Sequence, residues 1–283
     1  MQRFQERHGL NTDGTVGGKT LRVLNVPVET RIEQLRLSLE RSRLIMHGLP
    51  DRFIVVNVPA FRLYYVEQGQ ARLTVNVVVG RLYTKTPIFR AKMTHVVINP
   101  SWTVPPMVMQ RDVIPGLKKD PNYLKRKGLE RVGGQIVQAP GPNNALGRIK
   151  LMFPNAHLVY LHDTPQQALF EKDSRTFSSG CVRVQGIFDL AERVIADPER
   201  WSKVRLLDAV RTGKTQTVTL DSPMPVLIAY WTAGVGPEGR AFFYDDIYGR
   251  DAAELKALNG VFTFHPNAVS AARTAPPASG VLE

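Results

Sequence analysis

His157 to Val184 reads HLVYLHDTPQQALFEKDSRTFSSGCVRV and holds the one cysteine of the chain, Cys181. His162 ends the apolar run Leu158-Val159-Tyr160-Leu161, and Asp163-Thr164-Pro165 must terminate it. His157 to Leu161 is therefore expected as a strand that delivers His162, with Arg148 to Phe153 as the strand before it. A free thiol titrates near pH ~8.5, so at neutral pH it needs a base or a positive charge alongside to become a nucleophile. His162 is the natural base. Ser178, Ser179 and Gly180 form a small turn before the sulfur, in which Gly180 can take positive φ and expose backbone N–H groups to a developing oxyanion. Arg183, two residues beyond Cys181, lies on the same side of an extended segment, placed to hold a carboxylate or to favour the thiolate. Tyr160 shares a face with His162 and is either a substrate contact or a sheet-surface aromatic. A lone cysteine is more often a buried small hydrophobe than a nucleophile. The Ser-Ser-Gly and Val-Arg flanks are nevertheless poor filling for an apolar interior.

Tyr160-Leu161-His162-Asp163-Thr164 and Ser178-Ser179-Gly180-Cys181-Val182-Arg183-Val184 resemble the active-site signature of the L,D-transpeptidases, the YkuD-type catalytic domain. Pro142-x-Asn144-x-Leu146-Gly147 and Phe153-Pro154-Asn155 are similar to the large Gram-negative, YcbB-like branch of that family. Many relatives carry His-Gly-Cys where this chain has Ser179-Gly180-Cys181, so only backbone and hydroxyl contacts carry over to position 179. The resemblance spans roughly residues 52 to 250. It implies a mainly β, sandwich-like catalytic domain with helical insertions.

The chemistry that the resemblance implies is acyl transfer. Cys181 attacks the carbonyl of the third stem residue of peptidoglycan, a diaminopimelate, and expels D-Ala to leave a thioester. His162 draws off the thiol proton and later helps deprotonate the incoming amine. The N–H groups of Cys181 and Gly180 hold the oxyanion, Ser179 and Arg183 organise the site, and Tyr160, Trp102 and Ser178 contact substrate, a core role being the alternative for Trp102. The side-chain amine of a second stem then resolves the thioester into a cross-link between two third residues. Water in its place gives a carboxypeptidase. Implied partners are peptidoglycan tetrapeptide stems, with carbapenem-type β-lactams as covalent inhibitors, in the periplasm or cell envelope. No cofactor or metal is implied. Two other classes stay open: a cysteine hydrolase of wall peptides, and a non-catalytic peptidoglycan-binding protein.

Composition bounds these readings. A chain of 283 residues with 43% hydrophobic content is enough for one large packed domain and something smaller. Its 37 Lys and Arg against 25 Asp and Glu give a net charge of +12, which suits an anionic partner or surface. The basic residues are scattered and form no groove-reading motif, which argues against nucleic acid. One cysteine excludes an intrachain disulfide and a multi-cysteine metal site. No apolar run reaches eighteen residues and no basic-then-apolar leader opens the chain; if the protein works outside the cytoplasm, its export signal is expected upstream of this sequence or already removed.

Four segments follow. Residues 1–26, with His8-Gly9-Leu10, Asp13-Gly14-x-Val16-Gly17 and Thr20-Leu21, resemble the second half of a small helical peptidoglycan-binding repeat, two short helical pieces around a Gly-rich loop, a plain N-terminal docking arm being the alternative. Residues 27–50 hold a linking helix, Glu29 to Met46, with Ile32, Leu35 and Leu39 on its apolar side and a solvated basic face. Residues 51–264 form the catalytic domain. Here Arg52 to Val58, Phe61 to Glu67 and Ala71 to Val79 read as strands, the last two joined as a hairpin through Gln68-Gly69-Gln70. An insertion over about 103–146 is too long for an ordinary connection, and its stretch Met107 to Lys127 reads as one or two short helices; the resemblance implies a substrate-capping lobe here, a lid able to exclude water. Residues 265–283, rich in Ala, Pro, Ser and Gly, are expected as a flexible tail.

Overall fold

The structure is a computed structural model that describes residues 1–236 and 238–260, so the expected tail lies outside the described residues. The first three strands follow the sequence closely: β1 Arg52–Asn57, β2 Arg62–Glu67 and β3 Gln70–Gly80. Gln68 and Gly69 both take positive φ, 51° and 71°, the geometry that a two-residue hairpin between right-twisted strands demands. β4 is Phe89–Ile98. An inserted lobe then contributes β5 Trp102–Thr103, β6 Leu129–Val132 and β7 Gln135–Gln138. β8 Ile149–Met152, β9 Leu161–His162, β10 Thr176–Ser178, β11 Val182–Val184 and β12 Gln216–Ala229 complete the main sheet. β13 Ala233–Val235 and β14 Ala241–Phe243 form a separate ribbon.

The main sheet runs β10-β3-β11-β9-β8-β4-β12-β1-β2, and β2 also pairs with β3. Eight strands therefore close into a ring, with β10 added to the end of β3, and the long β12 bends through an irregular stretch between Thr219 and Met224. Inside the ring, Ile54, Val56, Leu63, Val77, Met93, Leu151, Leu161, Val182 and Val226 form one core. The helix Ile187–Ile195 lays Ile187, Leu190, Ala191, Val194 and Ile195 into that core, the spacing of one buried helical face. Helix and strand occupy similar shares of the chain, 32% and 29%, but the sheet supplies the centre and the helices lie around it or in insertions.

Three expectations need correction. Residues 157–160 are not a strand. Asn155 donates to the carbonyls of Phe153 and Val159 and accepts from the N–H groups of His157 and Val159, while Leu158 adopts φ 53°. The side-chain amide thus outcompetes the sheet ladder for this backbone, and β9 shrinks to two residues. The insertion carries the short helices expected over Met107 to Lys127 but also a sheet that was not expected. Pro106–Val108, Met109–Val113 and Ile114–Lys119 run on as one helical segment with a π turn in the middle, followed by the short helix Tyr123–Arg126. Beside them stands a three-stranded sheet, β5-β7-β6, whose hairpin turns at Gly133 and Gly134, both at positive φ. Val104, Val108, Val113, Leu129 and Ile136 give the lobe its own core.

The third correction concerns the linking helix, which spans Val28–Ile45. Its buried side carries Leu37, Ser38, Arg41 and Ile45, while Ile32 and Leu39 face solvent. Arg41 is drawn inward by Asp251 and Glu254, each at 2.8 Å, and Ser38 Oγ accepts from the Ala233 N–H. Before it, helices Gln2–Arg7 and Gly18–Leu24 are tied together by the buried Gln5 side chain, which bonds Asp13, Gly14 and Thr15.

Candidate active site

Three neighbouring strands bring the site residues to one face. Lys150 of β8 pairs with His162 of β9, and His162 pairs with Arg183 of β11. Their chain neighbours Ile149, Leu151, Leu161, Val182 and Val184 are fully buried in the ring core. Alternation then turns Lys150, His162 and Arg183, together with the flanking Tyr160 and Cys181, to the opposite face. The Val182 N–H donates to the Tyr160 carbonyl, so Cys181 stands opposite Tyr160 and diagonal to His162. Strand spacing and rise put the Cα atoms of Cys181 and His162 about 8 Å apart.

His162 is buried, and its Nδ1 lies 2.5 Å from the Asp163 carbonyl. A carbonyl only accepts, so Nδ1 carries the proton and Nε2 keeps a bare lone pair. Burial above all, then the charges of Arg183 and Lys150, push the imidazole pKa down to about 3 against the pull of the Asp163 and Leu146 carbonyls. The Asp163 carboxylate points elsewhere and accepts from the Arg148 N–H at 2.9 Å. Gly147, at φ 66°, makes that approach possible, because a Cβ there would sit 2.4 Å from Asp163 Cβ.

The Cys181 turn is buckled onto the loop after β3. Thr84 Oγ1 donates to the Ser178 carbonyl, Thr86 Oγ1 to the Gly180 carbonyl, and the Arg81 N–H to the Ser178 carbonyl. Tyr248 clamps the loop in turn through Gly80 and Thr86. Gly180 takes φ 118° as expected of a glycine there. Its N–H, however, donates to Ser178 Oγ, whereas the Cys181 N–H has no partner among the described residues. Ser178, expected as a substrate contact, is corrected to a buried strut: its hydroxyl donates to the Cys181 carbonyl while accepting from Gly180. Ser179 is exposed, and its Oγ accepts from Arg111 Nη2 at 3.1 Å, the point where the inserted lobe meets the turn. Trp102 is half-buried, with part of its ring packed against the lobe core.

Cys181 is half-buried, with Sγ 3.7 Å from the Leu158 carbonyl. No hydrogen bond joins Sγ and His162 among the described residues; in ligand-free sites such contacts commonly tighten only when substrate arrives. Burial pushes the thiol up, while the Tyr160 backbone N–H, Lys150 and Arg183 favour the thiolate. Lys150 is not evident from the sequence pattern, although a charge amid Ile149-Lys150-Leu151 is a signal. Its Nζ sits 4.0 Å from the centroid of the Tyr160 ring and has no acidic partner among the described residues. Burial depresses its own pKa and the neighbouring Cys181 opposes that. Lys150→Met is expected to slow iodoacetamide alkylation of Cys181 at neutral pH by about three- to tenfold and move the rate profile to higher pH, with Lys150→Arg restoring it. An unmoved profile would remove Lys150 from the sulfur's environment.

Residues 51–226 match the family described as the YkuD L,D-transpeptidase catalytic domain. A Haemophilus influenzae protein named "Putative L,D-transpeptidase" is 31% identical over 242 residues, covering 77% of this chain and 48% of its own length. The chain thus spans about half the length of that curated relative. Among solved structures, an L,D-transpeptidase from Mycobacterium smegmatis aligns at TM-score 0.35 and 12% identity, covering 63% of this chain and 58% of its own. The catalytic domain of an E. faecium L,D-transpeptidase acylated by ertapenem aligns at TM-score 0.35 and 12% identity, covering 64% and 99%. Cys181, just before β11, and His162, at the end of the adjacent β9, are the residue types that a thiol nucleophile and its base require. The chain belongs to the L,D-transpeptidase family and contains its YkuD catalytic domain. No helix among the described residues is long and apolar enough to cross a membrane, and no group of His, Cys, Asp or Glu among them is arranged to hold a metal.

Proposed function

We propose that this chain is a peptidoglycan L,D-transpeptidase that works in the cell envelope and joins the third residues of two stems, diaminopimelate to diaminopimelate. The observation that carries the proposal is the delivery of Cys181 and His162 by paired strands to one face, with the imidazole tautomer fixed by the Asp163 carbonyl. Cys181 turns from the Leu158 carbonyl toward His162, and Nε2 takes the thiol proton as Sγ bonds to the donor carbonyl. The unpartnered Cys181 N–H receives the oxyanion. The C–N bond breaks, D-Ala departs with the proton from His162, and a thioester remains. The side-chain amine of the second stem attacks that thioester and returns a proton through His162, releasing the thiol.

The inserted lobe, latched to Ser179 through Arg111, serves as a cap that excludes water in favour of the amine. The N-terminal helical pair is a partial wall-binding module. Incubation with disaccharide-tetrapeptide is expected to give a cross-linked dimer, one D-Ala being lost per bond. Shortened stems alone would instead indicate a hydrolase. Intact-protein mass spectrometry after exposure to a carbapenem is expected to find one adduct on Cys181 and none on Cys181→Ala; an unlabelled native chain would favour a binding protein.

A further inference from the structure

The loop that buttresses the thiol turn is closed by two hydroxyl groups whose hydrogen-bond directions are forced, since a backbone N–H only donates and a carbonyl only accepts. Thr86 Oγ1 accepts from the Gly80 N–H at 2.9 Å and donates to the Gly180 carbonyl at 2.8 Å. The Tyr248 hydroxyl accepts from the Thr86 N–H at 3.2 Å and donates to the Gly80 carbonyl at 2.7 Å. Both side chains are buried, and each hydroxyl has its one proton committed. Only glycine fits at position 80, because a Cβ there would stand 2.0 Å from the Thr84 carbonyl oxygen. Tyr248 is itself held: its N–H donates to the Tyr230 hydroxyl and Lys85 Nζ donates to its carbonyl, both at 2.7 Å. Tyr230 and Tyr248 lie beyond the stretch 51–226 that matches the family, so this clamp is supplied from outside it.

The Gly180 carbonyl and the Cys181 N–H belong to one planar trans peptide and point in opposite directions. Thr86 grips the carbonyl from the loop side, so the N–H, which has no partner among the described residues, faces away from the loop. Gly180, at φ 118°, has no side chain to hinder rotation of that plane. The Thr86 bond is what fixes it.

We propose that Thr86, held in place by Tyr248, is a positioning residue that locks the Gly180–Cys181 peptide with its N–H aimed at the oxyanion of the acyl-transfer step. The inference rests on the acyl-transfer reading and assigns side chains to the upkeep of the oxyanion donor. As the Sγ–C bond forms, the carbonyl π pair of the donor moves onto its oxygen and the thiol proton passes to His162 Nε2. The new charge meets an amide already polarised by the series Gly80 N–H, Thr86 O–H and Gly180 carbonyl, in which each bond strengthens the next.

The test compares carbapenem acylation, which builds an oxyanion at Cys181, with iodoacetamide alkylation, which displaces iodide and builds none. Thr86→Val keeps most of the packing and loses both bonds of the hydroxyl. It is expected to slow acylation about 10- to 100-fold, less than outright loss of an oxyanion donor, while alkylation stays within about twofold of native. Tyr248→Phe cuts the anchor and leaves Thr86 in place; acylation is expected to fall about three- to tenfold, which keeps the test valid should Thr86→Val fold poorly. Thr86→Ser retains the hydroxyl and is expected to stay within about threefold of native. Isotope-labelled cysteine adds a readout free of chemistry, because Cys181 is the one cysteine and gives a single backbone amide signal in the nuclear magnetic resonance spectrum. That signal is expected to move upfield in Thr86→Val and to hold its place in Thr86→Ser. Native-like acylation of Thr86→Val, or of Tyr248→Phe where the former does not fold, overturns the positioning role. So does an unmoved amide signal, or a loss shared equally by acylation and alkylation. The native chain judges the acyl-transfer reading separately: no adduct on it removes that reading and this inference together, whereas an adduct that forms equally fast on Thr86→Val removes the inference alone.

Discussion

His162→Gln should slow acylation of Cys181 by a carbapenem by about 10²–10⁴-fold, the usual worth of a positioned general base. Glutamine fills much of the imidazole's space and can still donate to the Asp163 carbonyl, but it offers no basic lone pair to the thiol. The comparison is made by time-resolved mass spectrometry, with thermal melting to confirm that the variant folds. A loss smaller than about threefold would remove His162 from proton transfer. The pH profile adds a sharper criterion. Because its folded pKa lies at about 3, His162 is neutral and able to accept a proton throughout the physiological range. The acid limb of the acylation profile should therefore fall well below the ordinary histidine range, and the alkaline behaviour should follow the thiol, which burial holds high.

The same buried ring should make the fold acid-sensitive. In the unfolded chain histidine takes a proton near pH 6.5, and in the fold His162 does so only at about 3. Between those values the unfolded chain binds the extra proton, so this contribution to stability is complete above about pH 6.5 and is lost progressively as pH falls toward 3. At ~1.36 kcal/mol per unit of separation, the full loss is on the order of 3–5 kcal/mol. Urea unfolding at pH 7 and pH 4 on the native chain and on His162→Gln measures it, since other titrating groups cancel in the comparison. The variant is expected to lose clearly less stability on acidification. Equal losses would mean that the imidazole is hydrated in the fold.

Local punctuation makes part of this site legible. Asp163-Thr164-Pro165 can only end a strand, and Ser-Ser-Gly can only turn before Cys181, so the placement of both side chains follows from the chain itself. What depends on distant partners does not. Lys150 becomes a neighbour of the thiol only through the register of β8 on β9. Thr84 and Thr86 reach the Cys181 turn from the loop after β3, and no nearby pattern links them. The polarity of Ser178 suggests a ligand contact, yet a small hydroxyl serves equally well to knit a tight turn from inside. Leu158 to Tyr160 have strand composition, but composition is silent about the Asn155 amide that captures their backbone. Gly133-Gly134 signals the lobe hairpin but reads as mere punctuation, because its flanking strands are only four residues each.

The captured loop that presents the Leu158 carbonyl also bears on chemical durability. A sulfur docked there and discouraged from ionising by its surroundings is a poor target for peroxide, which attacks the anion. In an oxidising compartment such a resting thiol would outlast an exposed thiolate, and become vulnerable chiefly during turnover.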